Sequence, residues 1–220
     1  MERKIAEGHI ELGYLFTSSL DSLMHRHGTS GPKVDAGFDQ LENALRRLYH
    51  TAGKNYDAVR FYIFSDHGMA DTEKCSNLLP RFEKEIDLAF GRDYVAVWDS
   101  TMARFWFEND EARQIIHDWL SRQGDGSLVS AEKLRDWGCD FSDHTYGELF
   151  YLLPSGSLFV PSFMNQRKVT AMHGYDPDHE NSTACWLTNA DVKPPESIAG
   201  IFDIMLAASA TRLRPVPAVS

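Results

Sequence analysis

Three short segments of the chain carry acidic and imidazole side chains at spacings that suit metal binding. The segments are Asp21-Ser-Leu-Met-His25, Ser65-Asp66-His67-Gly68-Met69 and Met172-His173-Gly174-Tyr175. Carboxylate oxygen and imidazole nitrogen are common ligands of zinc and manganese in hydrolytic sites, where the ion lowers the pKa of bound water and takes up charge on a phosphoryl oxygen. The three segments together predict a metallohydrolase with a pair of divalent ions, zinc or manganese. The candidate ligands are Asp21, His25, Asp66, His67 and His173.

Each segment has a plainer interpretation when it is considered alone. Asp21 and His25 are four residues apart, so one turn of helix can aim both at one ion, but a helix cap and a surface histidine have the same spacing. Asp66 and His67 follow a hydrophobic run, where an aspartate also serves as a turn residue. His173 alone carries little information. The combination favours a metal site because each segment places acid or imidazole beside a glycine or a strand end.

The elements before these segments predict how the ligands are brought together. Residues 12–18 are apolar and β-prone and predict a buried strand, and residues 59–64 predict a second strand that is covered on both faces. Between them, apolar residues at helical spacing predict a helix capped by Asp35 and ended by Gly53. This order favours a parallel pair, and ligands of open α/β sheets lie beyond the carboxyl ends of parallel strands. The predicted fold class is α/β, with a mostly parallel sheet and helices on both faces.

The rest of the chain is interpreted as part of one domain, residues 1–220. Periodicity predicts a helix from about Asn77, strands Tyr94–Trp98 and Met102–Phe107, a helix capped by Asn109, a strand Glu148–Leu153 and a closing helix from about Pro195 to Ala208. The block from about Phe90 to Gly147 is interpreted as a small α+β insertion. The closing helix is expected to pack on the sheet through Ile198, Ile201, Phe202, Met205 and Leu206.

Composition and charge exclude several classes of partner. The 220 residues are 43% hydrophobic and 25% charged, which is ordinary for a globular protein. The formal net charge of −10 argues against a groove for a nucleic-acid polymer, which needs clustered lysine and arginine. No stretch resembles a secretory signal or reaches the roughly 18 apolar residues of a spanning helix, so we expect no membrane partner. Three cysteines without disulfide-framework spacing predict a reducing, cytoplasmic location.

Two further polar clusters are interpreted as structure. Ser142-Asp143-His144 repeats the Asp-His pair without a preceding strand, so we expect a polar loop. Asp176, Asp178, His179 and Glu180 predict a solvated acidic loop, with His179 within reach of the site. Neither cluster is needed for the predicted metal centre.

The three ligand segments also resemble a known group of enzymes. Asp-x-x-x-His-x-x-Gly at 21–28, Ser-Asp-His-Gly-Met at 65–69 and Met-His-Gly-Tyr at 172–175 are similar to the alkaline phosphatase superfamily, in particular its type I phosphodiesterase/nucleotide pyrophosphatase branch. The resemblance implies that Asp21, His25 and His173 bind one metal ion and that Asp66 and His67 help to bind a second. It also implies a two-metal displacement on a small phosphate ester or nucleotide.

The chain departs from this family in its first part. The family resemblance implies a further strand with an aspartate ligand and a Thr or Ser nucleophile, both before the Asp-x-x-x-His segment, and only 20 residues precede Asp21. We therefore expect the chain to correspond to the C-terminal part of such an enzyme, with no assignable catalytic nucleophile. A sulfatase or phosphonate hydrolase of the same superfamily, or a metal-binding domain without catalysis, are the alternatives.

Overall fold

The computed structural model describes residues 1–8 and 10–210, and the contacts of the chain divide it into two units. Unit 1 contains residues 1–20 and 35–66 and continues from Ala184. Unit 2 contains residues 21–34 and 67–183. Since all the predicted metal ligands except Asp66 belong to unit 2, that unit is the one that positions the candidate site.

The described residues form a mixture of short strands and helices. The helices are α1 (Glu2–Ala6), α2 (Ser19–His27), α3 (Pro32–Asn55), α4 (Leu78–Glu85), α5 (Asp110–Ser121), α6 (Ala131–Asp136) and α7 (Gly200–Ala210), with a 3₁₀ turn at Glu180–Ser182. The strands are β1 (Tyr62–Phe64), β2 (Ala70–Asp71), β3 (Lys74–Ser76), β4 (Tyr94–Trp98), β5 (Met102–Phe107), β6 (Ser127–Leu128), β7 (Leu149–Leu152), β8 (Ser157–Phe159), β9 (Ala171–Met172) and β10 (Trp186–Thr188).

Unit 2 is built around an antiparallel sheet of four strands in the order β4-β5-β7-β6. The predicted strands Tyr94–Trp98 and Met102–Phe107 are confirmed with these bounds, and Asn109 caps α5 by accepting a hydrogen bond from the N–H of Ala112 at 2.8 Å. Phe82 of α4 lies at the centre of the core, with ring centroids of Trp98 and Trp119 each 5.3 Å away. These elements fold as predicted because their apolar periodicity is local and strong.

Two smaller strand pairs of unit 2 connect this core to the candidate site. β3 and β8 are parallel, and β2 and β9 are antiparallel, with Ala70 opposite Met172. A second cluster of buried side chains packs beneath them and consists of Ala70, Leu158, Met172 and Tyr175. Residue 173 therefore follows a strand that is anchored on buried neighbours.

The mostly parallel sheet predicted from the sequence is wrong for the described residues. β1 pairs antiparallel with β10 and is only half-buried, although its sequence predicts a parallel strand covered on both faces. Residues 12–18, predicted as its partner, have no secondary structure and are exposed. A strand forms only where another strand satisfies its backbone N–H and C=O groups, and apolar composition alone supplies no such partner.

Unit 1 has few buried side chains among its described residues. Only Ala52 of α3 and Ile201 of α7 are fully buried there. Ile198, Phe202 and Leu206 are exposed, so the prediction that they pack on a sheet is wrong in this structure. Helix α7 is apolar around most of its circumference, and only the side that carries Ile201 is covered. None of the helices in the described residues has the length and apolar character required to cross a bilayer.

Candidate metal centre

Helix α2 presents the first two candidate ligands on one face. Asp21 and His25 are one turn apart, and the Nε2 of His25 lies 3.2 Å from Oδ1 of Asp21. The helix ends at Gly28, whose φ of +93° suits glycine and whose N–H donates to the carbonyl of Met24 at 2.8 Å. A Cβ at this position would lie 3.0 Å from Oδ1 of Asp71. The glycine that the sequence pattern contains is thus required by the tight end of the helix.

The strand that precedes His173 is bonded directly to the end of α2. The N–H of Thr170 donates to the carbonyl of His25 at 2.9 Å, and its hydroxyl donates to the carbonyl of Arg26 at 3.0 Å. His173 follows this strand by one residue, and its Nε2 lies 3.5 Å from Oδ1 of Asp21. One ligand atom from each of Asp21, His25 and His173 falls within 4.8 Å of the others. Two segments almost 150 residues apart in sequence therefore meet at one carboxylate oxygen.

The hydrogen bonds of His25 determine which ring nitrogen faces the carboxylate as an acceptor. Nδ1 lies 2.8 Å from the carbonyl oxygen of Ala171, which only accepts, so Nδ1 carries the proton. In the neutral ring, Nε2 then directs a lone pair at Oδ1 of Asp21, which is itself an acceptor. That oxygen is buried and makes no hydrogen bond within the described residues. A cation or a proton between Nε2 of His25 and Oδ1 of Asp21 would remove the repulsion between these two acceptors.

The distances from Oδ1 of Asp21 to the two imidazole nitrogens suit a tetrahedral metal ion. Zinc is bound at about 2.0–2.1 Å by imidazole nitrogen and carboxylate oxygen, so neighbouring ligand atoms of a tetrahedral site lie about 3.3 Å apart. The observed separations from Oδ1 of Asp21 are 3.2 Å to His25 and 3.5 Å to His173. The bond from Nδ1 of His25 to a backbone carbonyl is also the usual outer contact of a metal-binding histidine. The donor set and its spacing fit one divalent ion.

The remaining two candidates are not part of this three-residue group. His67 stacks on His173 with ring centroids 3.6 Å apart and an angle of 16° between the planes. Its Nδ1 lies 2.8 Å from the carbonyl oxygen of Gly68, which makes Nε2 the acceptor nitrogen of the neutral ring. Asp66 is exposed, follows β1 and belongs to unit 1. The structure thus places His67 beside the group in unit 2, while Asp66 lies in the other unit.

Gly68 is held against another backbone segment of unit 2. Its N–H donates to the carbonyl of Ser182 at 3.2 Å, and a Cβ would lie 2.2 Å from the carbonyl oxygen of Asn181. No side chain fits at that distance, so the glycine after His67 allows the loop to pass close to residues 181–183.

The sequence analysis missed two residues that hold the ligand segments. Thr101 is buried in the turn between β4 and β5, and its hydroxyl donates to the carbonyl of Gly174 at 2.6 Å. Asp71 of β2 accepts hydrogen bonds from the N–H and the hydroxyl of Thr29, at 2.7 and 2.9 Å, just after the end of α2. Both residues act through long-range contacts, which no local sequence pattern reveals.

The acidic loop after His173 is bonded to the neighbouring helix α6, although its sequence predicts a solvated loop. The carboxylate of Asp176 pairs with the Lys133 ammonium, and the carboxylate of Asp178 accepts a hydrogen bond from the indole of Trp137 at 3.0 Å. Burial alone would raise the pKa of Asp176, but Lys133 and the N–H of Asp178 lower it. His179 caps the 3₁₀ turn by accepting a hydrogen bond from the N–H of Asn181 at 3.2 Å. These contacts give the loop a structural role.

Burial of Tyr175, two residues after His173, raises the pKa of its hydroxyl to about 12, an effect that the backbone N–H of Gly156 partly opposes. The phenol is therefore protonated at neutral pH and contributes no negative charge near the three ligands. The candidate site takes its negative charge from Asp21.

Comparisons with known proteins show the family and the fold that this chain is similar to. The family profile described as type I phosphodiesterase/nucleotide pyrophosphatase matches residues 1–176. A search of curated proteins finds no match. Among solved structures, murine ectonucleotide pyrophosphatase/phosphodiesterase 5 is 17% identical with a TM-score of 0.69, and the alignment covers 85% of this chain and 50% of that one. The human protein of the same name gives the same values, and an inactive variant of the murine protein was solved in complex with AMP.

A bacterial enzyme also shares the fold. Phosphonoacetate hydrolase from Sinorhizobium meliloti 1021, in complex with phosphonoformate, is 11% identical with a TM-score of 0.61, and the alignment covers 86% of this chain and 49% of that one. The chain thus spans about half the length of the structures that it matches. Since the family profile covers most of the sequence, the chain belongs to the type I phosphodiesterase/nucleotide pyrophosphatase family of the alkaline phosphatase superfamily.

Proposed function

We propose that this chain carries a metal centre of a phosphoric ester hydrolase, in which Asp21, His25 and His173 bind one divalent ion, zinc or manganese. The observation that carries the proposal is the buried Oδ1 of Asp21, which faces two imidazole nitrogens at 3.2 and 3.5 Å and makes no hydrogen bond in the described residues. In the neutral His25 ring, Nε2 and Oδ1 of Asp21 are two facing acceptors, which is unfavourable unless a cation lies between them. Membership of a hydrolase family supports the same assignment.

A second ion is proposed at Asp66 and His67. The support is the adjacency of the two side chains in the sequence and the stacking of His67 on His173, whose rings are 3.6 Å apart. Two ligands hold an ion less firmly than three, so we expect the second ion to bind more weakly than the first.

Some residues of the site supply charge, and others fix the orientation of the metal-binding rings. When bound, divalent ions supply a Lewis acid for a phosphoryl oxygen and a lower pKa for bound water. Asp21 supplies negative charge that offsets the charge of the ion. The carbonyls of Ala171 and Gly68 fix the tautomers of His25 and His67, so that the Nε2 atom of each ring is the metal-binding nitrogen. The nucleophile is not assigned to any residue of this chain.

We propose a phosphodiester or a nucleotide as the substrate, in preference to a phosphate monoester. The family description and the AMP complex of the murine relative support this choice. Because the chain covers about half of that relative, turnover by this polypeptide alone is expected to be slow. The cytoplasmic location stays a prediction.

A phosphonate hydrolase is the second candidate, because a structure with the same fold was solved with phosphonoformate bound. The ligand set would also serve a sulfatase. A metal-binding domain without catalysis would hold the ion and turn over none of these substrates.

Metal analysis and substrate comparison on the purified chain test the proposal. We expect zinc or manganese to co-purify with the chain or to bind after chelation and dialysis, and Asp21→Asn to abolish that binding. Asp118→Asn is the matched control, since Asp118 is exposed and lies 3.4 Å from Nδ1 of His117. Nitrophenyl phosphodiester, phosphonate and sulfate substrates then separate the candidate activities. A folded chain that binds neither metal would refute the assignment.

A further inference from the structure

One exposed aspartate lies where the ligand segments of unit 2 meet. Asp71 is the second residue of β2, which begins three residues after His67. It stands opposite Ala171 of β9, two residues before His173. Its carboxylate also accepts hydrogen bonds from the N–H and the hydroxyl of Thr29, two residues after the end of α2, at 2.7 and 2.9 Å. Asp71 therefore contacts or belongs to a segment next to every candidate ligand of unit 2.

The contacts around Asp71 form a closed cycle of three elements. Asp71 joins the end of α2 to β2, and β2 pairs with β9, where the N–H of Thr72 also donates to the carbonyl of Thr170 at 2.8 Å. Thr170 closes the cycle, because its N–H donates to the carbonyl of His25 at 2.9 Å. In such a cycle no element can shift against one neighbour without straining its contacts with the other. The distance between the ligands of α2 and His173 therefore depends on the bonds of Asp71 as well as on those of Thr170.

We infer that Asp71 is a positioning residue of the metal centre and holds the end of α2 against the strands that lead to His173. Both of its carboxylate oxygens accept from Thr29, so it acts through the backbone and not as a ligand. Gly28 allows this close approach, since a Cβ there would lie 3.0 Å from Oδ1 of Asp71. The role rests on the proposed function of the site as a metal centre.

A carboxylate near a bound cation can also act through its charge, and asparagine distinguishes charge from position. In Asp71→Asn the side-chain oxygen can still accept from the N–H of Thr29. The new amide group can donate to the threonine hydroxyl, which both donates and accepts. This variant therefore keeps both hydrogen bonds and loses only the negative charge, whereas Asp71→Ala loses the bonds and the charge together.

Zinc affinity, measured by competition with a chelating dye, tests the positioning role. Loss of an outer contact weakens a metal site by roughly 10-fold to 100-fold, so we expect about 10-fold weaker binding for Asp71→Ala and a change of no more than about twofold for Asp71→Asn. Asn109→Ala is the matched control, because it removes the cap of α5 and should lower thermal stability without changing zinc affinity. Equal weakening in Asp71→Asn and Asp71→Ala would overturn the role, since loss of charge would then explain both.

Cobalt in place of zinc reports the geometry of the site, because the visible absorption of Co²⁺ depends on its coordination. With cobalt bound at saturation, Asp71→Ala should alter the wild-type absorption bands, whereas Asp71→Asn and Asn109→Ala should reproduce them. Unchanged bands and unchanged zinc affinity in Asp71→Ala would refute the role of Asp71 and leave the metal centre intact.

A metal-free measurement separates failure of this role from failure of the metal centre. In the wild type, nitrogen NMR of the neutral His25 ring should show the proton on Nδ1, where the carbonyl of Ala171 accepts it. Asp71→Ala should give a mixture of the two tautomers, and Asp71→Asn should keep the wild-type form. A wild-type chain that binds neither zinc nor cobalt would refute the metal centre, and the tautomer alone would then decide whether Asp71 holds His25 against β9.

Discussion

Replacing Asp21 by asparagine is expected to change stability in opposite directions with and without metal. In the metal-free chain, Oδ1 of Asp21 is a buried acceptor 3.2 Å from Nε2 of His25, whose other nitrogen already donates to Ala171. Asparagine has nearly the same shape but can place an N–H donor at that position. In mildly alkaline buffer, in which free histidine is neutral, the new hydrogen bond should raise the free energy of unfolding by about 1 kcal/mol.

The same substitution should remove most of the stabilisation by zinc. At a free zinc concentration of about 100 times the dissociation constant, binding stabilises the wild-type fold by about 2.7 kcal/mol. Loss of outer contacts alone weakens metal sites by roughly 10-fold to 100-fold, so loss of a ligand should cost at least about 100-fold. The variant would then retain only about 0.4 kcal/mol at that zinc concentration.

Thermal unfolding with and without zinc measures both effects. The metal-free variant should melt about 2–4 °C above the wild type, and zinc should raise the midpoint of the wild type far more than that of the variant. Asp118→Asn should change neither midpoint by more than about 1–2 °C, because surface substitutions usually stay within about 0.5 kcal/mol. A metal-free variant that is less stable than the wild type would show that Oδ1 of Asp21 is not an unsatisfied acceptor. A variant that keeps the full effect of zinc would show that Oδ1 is not a metal ligand.

Three further substitutions test the surroundings of the site. Thr101→Val removes the hydroxyl that donates to Gly174 and should weaken zinc binding by roughly 10-fold or more, while Thr101→Ser should restore it, as measured by competition with a chelating dye. At Gly28 φ is +93°, and an added Cβ would lie 3.0 Å from Oδ1 of Asp71, so Gly28→Ala should lower the free energy of unfolding in urea by roughly 1–2 kcal/mol. The folded chain holds the Tyr175 proton more tightly than the unfolded chain between about pH 10 and pH 12, so wild-type stability should fall by about 2–3 kcal/mol across that range. Tyr175→Phe should lack this part of the decline when urea unfolding is followed against pH.

Local patterns predict the longer elements of unit 2 but neither its short strands nor the arrangement of unit 1. β4, β5 and α5 agree with the sequence because alternation, helical periodicity and the Asn109 cap are all local signals. Residues 12–18 have a strand-like composition, yet their state depends on a partner that composition does not specify. The same holds for α7, where the sequence identifies the apolar residues but not the side that is covered.

The candidate site is predictable in its residue types and only partly in its geometry. The four-residue spacing of Asp21 and His25 is sufficient to place them together, because α2 forms as a regular helix. That His173 joins them depends on the pairing of β9 with β2 and on the bonds from Thr170 to the end of α2, which are long-range contacts. For Asp66 the prediction rests on sequence adjacency to His67, and the boundary between the two units falls between these residues.

The bonds between α2 and β9 also bear on how tightly the site can bind a metal. The carbonyl of His25 accepts a hydrogen bond from the N–H of Thr170, and the ring of His25 donates to the carbonyl of Ala171. Both the backbone and the side chain of His25 are therefore fixed to the segment that leads to His173. Binding then requires little ordering of the backbone, and most of the interaction energy is available for affinity. Contacts that hold this segment against the helix, such as the hydroxyl of Thr170 on the carbonyl of Arg26, should therefore influence zinc affinity more than contacts of equal strength that touch neither ligand segment, such as the cap of Asn109 on Ala112.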